Sequence, residues 1–586
     1  MEIIENHRMS MHPYLNIDQL ETKHSKYYAS HVPNETFYGL GIENETYIMF
    51  DKHIPWKGKN IKNKQRRERY SVDYFSNFSS EIINDFNGEL INDETYHVPL
   101  FMNSHTLTKC DKNGEHKTNY SLKSEQNKKF NGTTIDELMK KKSMFFRDNY
   151  DKMFVYDGDT IEIMTTNFYC ATVDDVVGEL TANKNNLINE IRKVFDEENI
   201  FKKYGDIHFQ DNNYGIVSFM SNINNVSVCN NGTYHVNITL PTKLDNNCFI
   251  DDFDLFKKTH ANAIRAIQWF EPLIISCYGS PDIFSCTNEE NNTVDKKRIA
   301  MGSLRLALSR YISIGTYNTN NMVSGKLLDT LEYDDGHWYN QFHNGNKKSV
   351  YKQLKTIGYD INFNKFKNHG IELRIFDYFP EKYLTDVINI LLLLCELSMH
   401  RYIPNPLSNK YKNVYNNMII ECVSNGFTSS ISKKYMNAIN EIFLSEKGVT
   451  NDRQNGYIYG MNKMINRLQN KLLSIFSFDD ANDFDESSNS NDSNNSNDSH
   501  YSNNSNDEIN KQCEMKDVKN KNNVNINVTI YFQKVIDNIY NNVMKMTNDD
   551  DYIHKVSPNM RKPIIHNHNK DMYEINKRLF SSKTYK

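Results

Sequence analysis

The chain has 586 residues, more than one ordinary core holds, and a hydrophobic fraction of 38%, low for a compact globular protein. Lys and Arg number 69 against 74 Asp and Glu, a formal charge of -5. No global basic field exists to draw in nucleic acid or an anionic membrane, and neither is expected as a partner. The longest apolar run, near Ile390–Cys395, is far short of the about 18 residues that span a bilayer.

Met1–Leu20 mixes acids, His and Arg without an apolar stretch, so no signal peptide is read there, and residues 1–34 read as a weakly structured leader. Nine cysteines lie scattered from Cys110 to Cys513 with no CxxC pair. That odd set predicts free thiols in a reducing, cytoplasmic compartment. The N-x-S/T triplets at Asn77, Asn131 and Asn231 then read as chance occurrences. Richness in Asn, Lys, Ile and Tyr is what an AT-rich genome produces, such as that of a large DNA virus or a protist; a viral protein would act in host cytoplasm.

Residues 35–476 alternate strand-like and helical patterns, which predicts an α+β domain: an antiparallel sheet backed by helices. Its first strand is Gly39–Phe50. Leu40, Ile42 and Ile48 take one face, Glu43 and Glu45 the other. Carboxylates so spaced lie roughly 7 Å apart, close enough to bracket a metal ion. The Lys-rich stretch Lys57–Arg69 reads as a surface insertion, with a mobile lid as the functional alternative. Thr160–Asn167 turns Glu162 away from Ile161 and Ile163. In Asn231–Pro241, Tyr234, Val236, Ile238 and Leu240 oppose His235, Asn237 and Thr239. In His369–Pro380, Ile371, Leu373 and Ile375 oppose Glu372 and Arg374.

Asp254–Ser276, Met301–Ile314 and Lys382–His400 read as helices, the first with a core stripe through Ala263, Ile267, Phe270 and Ile274. His260, Asn262 and Arg265 at its start, and the Gly-Ser-Pro-Asp turn at its end, are weaker candidates for lining a site. Residues 477–512, almost wholly Ser, Asn and Asp over Ser487–Ser505, bury too little apolar surface to offset chain entropy and read as a disordered linker. Residues 513–586 read as a helical extension. Within it Val524–Met546 has an apolar period near 3.6, so a helix or strand–helix unit is expected, docked on the main domain or forming a small module.

A polar strand face is ordinary where an antiparallel sheet meets water. Four such strands, each bearing Glu, His, Asn or Arg, suit a nucleotide triphosphate better: carboxylate oxygens hold Mg²⁺, and Arg stabilises a phosphoryl group in flight.

These segments resemble a known family. GIENE resembles the G-x-E-x-E first-strand motif of the glutamine synthetase/glutamate–cysteine ligase superfamily, including its amidoligase branch. DTIEIMTTNF is similar to the second acidic motif, E-h-x-[ST]-x-P, with Asn167 where Pro is common. NGTYHVNITLP resembles the NG-(x)n-H-h-[HN] strand, and GIELRIFDYFPEKYL the R-[IV]-E-x-R-x-x-D-x-x-x-N-P-Y-L motif. The order along the chain also matches, over roughly Thr36 to Ser398.

The resemblance implies a curved antiparallel sheet like the glutamine synthetase catalytic domain, and an ATP-dependent carboxylate–amine ligase. It implies Glu43, Glu45 and Glu162 as carboxylate ligands to Mg²⁺, with Mn²⁺ as an alternative, and His235 and Glu372 completing the metal set. Arg374 would contact the phosphoryl group or acceptor carboxylate, and Asn237 would orient substrate. Gly232 would let the backbone approach the bound substrate, and Arg305 or Arg310 would reach phosphate of ATP, against a reading of either as an ion-paired or surface residue. Expected partners are small amino-acid or peptide-like carboxylates and amines. Oligomeric state stays open, since glutamine synthetases form rings and several amidoligases do not.

Three other classes compete. A pseudoenzyme would keep the fold as a binding or structural protein; the missing Pro and the lack of a recognisable acidic flap leave room for it. A phosphagen-type kinase would need a reactive Cys in a motif that none of the nine provides. A magnesium-dependent nuclease is disfavoured by the acidic balance.

Overall fold

The computed structural model describes residues 36–55, 97–102, 134–157, 160–168, 171–201, 205–213, 233–246, 250–281, 301–303, 305–306, 316–320, 323–325, 360–363, 370–444, 523–524, 526–547 and 560–581. The leader, Lys57–Arg69, Gly232, Arg310, Asp282 and the Ser/Asn/Asp-rich stretch lie outside these residues.

Thirteen strands occur among the described residues: β1 Thr36–Thr46, β2 Ile48–Pro55, β3 His97–Met102, β4 Phe154–Asp157, β5 Thr160–Met164, β6 Ile207–Phe209, β7 Tyr234–Lys243, β8 Thr316–Asn318, β9 Val323–Gly325, β10 Ile361–Phe363, β11 Ile371–Leu373, β12 Ile431–Ser432 and β13 Asn523–Val524. The main sheet has the order β10-β11-β7-β1-β5-β4, with every neighbour antiparallel. Strand β2 continues β1 past Tyr47 into a second sheet ordered β3-β2-β6. The protein is therefore α+β with an antiparallel sheet, as its alternation suggests.

Helices are α1 Ile135–Lys142, α2 Met144–Asn149, α3 Val173–Glu197, α4 Phe253–Tyr278, α5 Leu384–His400, α6 Lys412–Asn425, α7 Lys433–Ile439, α8 Val528–Thr547 and α9 His568–Ser581. Leu40, Ile42, Ile161, Ile163, Val236, Ile238, Ile371 and Leu373 are all buried, forming the apolar face that α3 and α4 cover. Helix α3 starts at a capping box, Thr172 with Asp175, which satisfies two terminal N–H groups. Asp252 caps α4 by accepting from Leu255 N at 2.9 Å, and nearly every side chain from Thr259 to Tyr278 is buried. Such all-round burial marks a central core helix. Of the expected Met301–Ile314 helix, only residues 305–306 are described as helical.

Helix α5, with the turn before it, is long and apolar enough to cross a membrane by length and composition. However, 72% of its most apolar window is buried inside the protein, as in a core helix. The C-terminal unit is docked. Val528, Tyr531, Phe532, Val535, Ile536, Ile539 and Val543 of α8 are buried in the same core as α4 and α5. Each such side chain contributes about 1.5–3 kcal/mol when buried, ample to hold the helix in place. Strand β13 also pairs with β12, Val524 opposite Ile431.

Candidate functional site

Residues directly opposed in an antiparallel pair point to the same face. Glu43 opposes His235 on β7 and Met164 on β5, and Glu45 opposes Glu162. Gly41 opposes Asn237, which opposes Glu372 on β11, which opposes Asn362 on β10. Five adjacent strands thus turn polar side chains to the face away from the helices.

The contacts are close. His235 Nδ1 lies 3.4 Å from Glu43 Oε2 and 3.6 Å from Glu45 Oε1. Asn237 Nδ2 donates to Glu43 Oε1 at 3.3 Å, and Asn362 Nδ2 to Glu372 Oε2 at 2.7 Å. Arg374 Nη1 donates to Glu372 Oε1 at 3.1 Å, while Nη2 stands 3.6 Å from Glu45 Oε1. The far ring nitrogen of His235 meets Thr233 Oγ1 at 3.2 Å. Ligand atoms of Glu43, His235 and Glu372 all lie within 4.8 Å of one another. Glu162 shares the face as a half-buried neighbour of Glu45 but falls outside that group.

Burial alone would lower the Arg374 pKa, but the carboxylates of Glu372, Glu45 and Glu43 outweigh it and raise it, so the guanidinium stays charged. Among the described residues, Glu43, Glu45 and Glu372 gather around this one guanidinium, an excess of carboxylates that would favour a divalent cation. Two acceptors agree with this. Glu45 Oε2 and Asn237 Oδ1 are buried with no hydrogen-bond partner among the described residues, a costly condition that a cation would relieve. Carboxylates, an imidazole and an amide oxygen form a donor set that suits a hard or borderline divalent ion.

Other sequence candidates have partners outside this cluster. His260 is fully buried; its Nε2 accepts from Leu240 N at 3.0 Å and its Nδ1 faces Phe256 O at 2.7 Å. Burial pushes its pKa down to about 3 despite the Phe256 bond, so it is a neutral strut under β7 rather than a site residue. Gly370 permits this, because a Cβ there would stand 2.5 Å from the His260 ring. Asn262 donates to Ser398 O and Arg401 O and accepts from Ile403 N, tying α4 to the end of α5. Arg265 bonds Thr319 Oγ1 at 2.8 Å. Arg305 is buried with Nε 4.0 Å from Asp360 Oδ1, the ion-paired alternative for this residue. The turn after α4 is packed away too: Ser280 Oγ donates to Tyr378 O and meets His568.

The departure at Asn167 has a structural reason. Its backbone N–H donates to Glu179 Oε2 at 3.0 Å, and Thr166 N to Glu179 Oε1 at 2.7 Å; proline would remove the first donor. Two site features escaped sequence reading. Asn362 lies in a three-residue strand within an Asn-rich chain, where one more Asn carries no signal. Phe168 lies over Gly39 and Gly41, on the face that bears Glu43.

The sequence matches no protein-family model. Over 423 residues it is 41% identical to the uncharacterized protein R704 of Acanthamoeba polyphaga mimivirus, an alignment covering 71% of each chain. A viral relative fits the AT-rich composition.

Proposed function

The chain belongs to one family with mimivirus protein R704, and we propose that it is an ATP- and Mg²⁺-dependent carboxylate–amine ligase with a glutamine synthetase-like catalytic sheet. The observation that carries this reading is the convergence of Glu43, His235 and Glu372 within 4.8 Å, beside a buried guanidinium. Glu43, His235 and Glu372 would hold one Mg²⁺, with Glu45 and Glu162 available to a second. Bound Mg²⁺ supplies charge neutralisation for the phosphate oxygens. The four motifs and their order along the chain support the family resemblance.

In this reading the γ-phosphoryl group passes from ATP to a carboxylate oxygen, giving ADP and an acyl phosphate. An amine nitrogen then attacks the acyl carbon and loses a proton as inorganic phosphate leaves, forming an amide. Arg374 faces the developing charge on the transferred group. Asn237 and Asn362, each donating to a carboxylate, would help to hold Glu43 and Glu372 in place. Amino-acid or peptide-like acids and amines are the proposed substrates.

The test is ADP and phosphate release by full-length protein with Mg·ATP and pooled amino acids offered as acid and amine. Turnover that needs both, and vanishes in Glu43→Ala and Glu372→Gln, is the expected result. ATP binding without turnover in any pool would favour the pseudoenzyme. Failure to bind Mg·ATP would overturn the assignment.

A further inference from the structure

Arg374 occupies an unusual place for a cation, since it shares its carboxylates with the ligand cluster. Glu372 accepts from Arg374 Nη1 at 3.1 Å and is one of the three potential metal ligands. Glu45, 3.6 Å from Arg374 Nη2, is also 3.6 Å from His235 Nδ1. A divalent ion held by Glu43, His235 and Glu372 would therefore have the guanidinium as its neighbour across a single carboxylate. The backbone cannot carry Arg374 away, because its N–H is tied to Asp360 O at 2.7 Å. Nor does arginine lose its proton in proteins.

The second observation concerns donors. Arg374 Nε is buried and has no hydrogen-bond acceptor among the described residues. A cation that draws Glu372 towards itself would loosen the bond from Nη1 as well. Two cations side by side, one with unfilled donors, make a site for an oxyanion lying between them, where planar guanidinium and metal each take an oxygen.

We propose that Arg374 couples the two ligands of this site: alone, a divalent cation binds weakly against it, and an oxyanion binding with the cation turns that repulsion into attraction. The oxyanion is a phosphoryl or a carboxylate group. The inference rests on the site holding a cation and an anion, as the proposed ligase does, and does not need the ligation reaction itself. By reciprocity, the cation must strengthen anion binding by the same factor.

The experiment is titration of Mn²⁺ into full-length protein by calorimetry, with bound ion counted by electron paramagnetic resonance. It is run alone, with saturating inorganic phosphate, and with saturating glutamate. We expect one anion to tighten Mn²⁺ binding by about 5–150-fold, the usual span of such couplings; whichever acts names the group that sits against Arg374. Arg374→Gln should bind Mn²⁺ alone more tightly than the natural protein and respond to neither anion. Arg374→Lys, which keeps the charge but lacks the forked donors, should bind Mn²⁺ as weakly as the natural protein, with a smaller anion effect. Mn²⁺ affinity indifferent to both anions in the natural protein overturns the coupling while leaving the cation site standing. Absence of Mn²⁺ binding under every condition overturns both.

Discussion

Gly39 and Gly41 stand bare because the ring of Phe168 lies where their side chains would be. A Cβ on Gly41 would come 2.6 Å from the ring and one on Gly39 1.9 Å. Since Gly41 opposes Asn237, the ring borders the polar cluster. Gly41→Ala should cost about 1–3 kcal/mol by overpacking, seen as a lower melting temperature, and Phe168→Ala should suppress much of that cost in a double-mutant cycle. Asn167→Pro, which restores the commoner residue of the motif, should destabilise by about 1.5–3 kcal/mol because it deletes a donor to the Glu179 carboxylate. A fully tolerated proline in chemical denaturation would contradict this. Acid should act through two buried imidazoles. Burial holds His260 and His568 near pKa 3, below their ordinary 6.5. Between those values the unfolded chain binds protons that the folded protein refuses, so stability falls as pH drops from about 6.5 towards 3. The slope is about 1.4 kcal/mol per pH unit for each histidine. Melting curves across this range should show it, with a shallower slope in His568→Gln.

Single side chains also join whole elements. Asn569, in the first turn of α9, donates to the carbonyls of Gly279, Met301 and Gly302 and accepts from Phe427 N. It thereby fastens the end of α4, the segment at 301–303 and the turn after α6 to one amide. That turn needs Gly426, whose φ of +54° favours glycine and whose Cβ would meet Asn569 at 2.2 Å. Beside it, His568 approaches Tyr378 O, four residues after Arg374 in the segment that follows β11. Asn569→Ala should cost about 1–3 kcal/mol for each buried group left unsatisfied, and denaturant titration would measure it. The amphipathic spacing of α8 was legible because Val528 through Val543 repeat at the helical period. Its partner was not, since an apolar stripe says that something covers it and never what.

On the scale of the molecule, alternation within four strands declared which side chains share a face. Pairing was hidden. That β11 lies beside β7, and β1 between β7 and β5, depends on contacts between residues far apart in sequence, which periodicity does not encode. Phe168 was missed for that reason, and Asn362 because one more Asn in an Asn-rich chain carries no signal, whereas Glu43, His235 and Glu372 were singled out by residue type and strand phase. The docked α8 also yields a prediction. A protease site placed within residues 487–505 and then cut should leave two fragments that co-elute on size exclusion, because α8 shares its core with α4 and α5. Separation of the fragments would show that the core holds without it. The sheet order has a further consequence, which lies in time. Glu43 meets its histidine 192 residues later, and Glu372 follows at still greater distance. At about 5–20 residues per second of synthesis, β1 waits roughly 10–40 s on the ribosome for β7. Throughout that interval its carboxylates lack their central partner and its apolar face lacks α4.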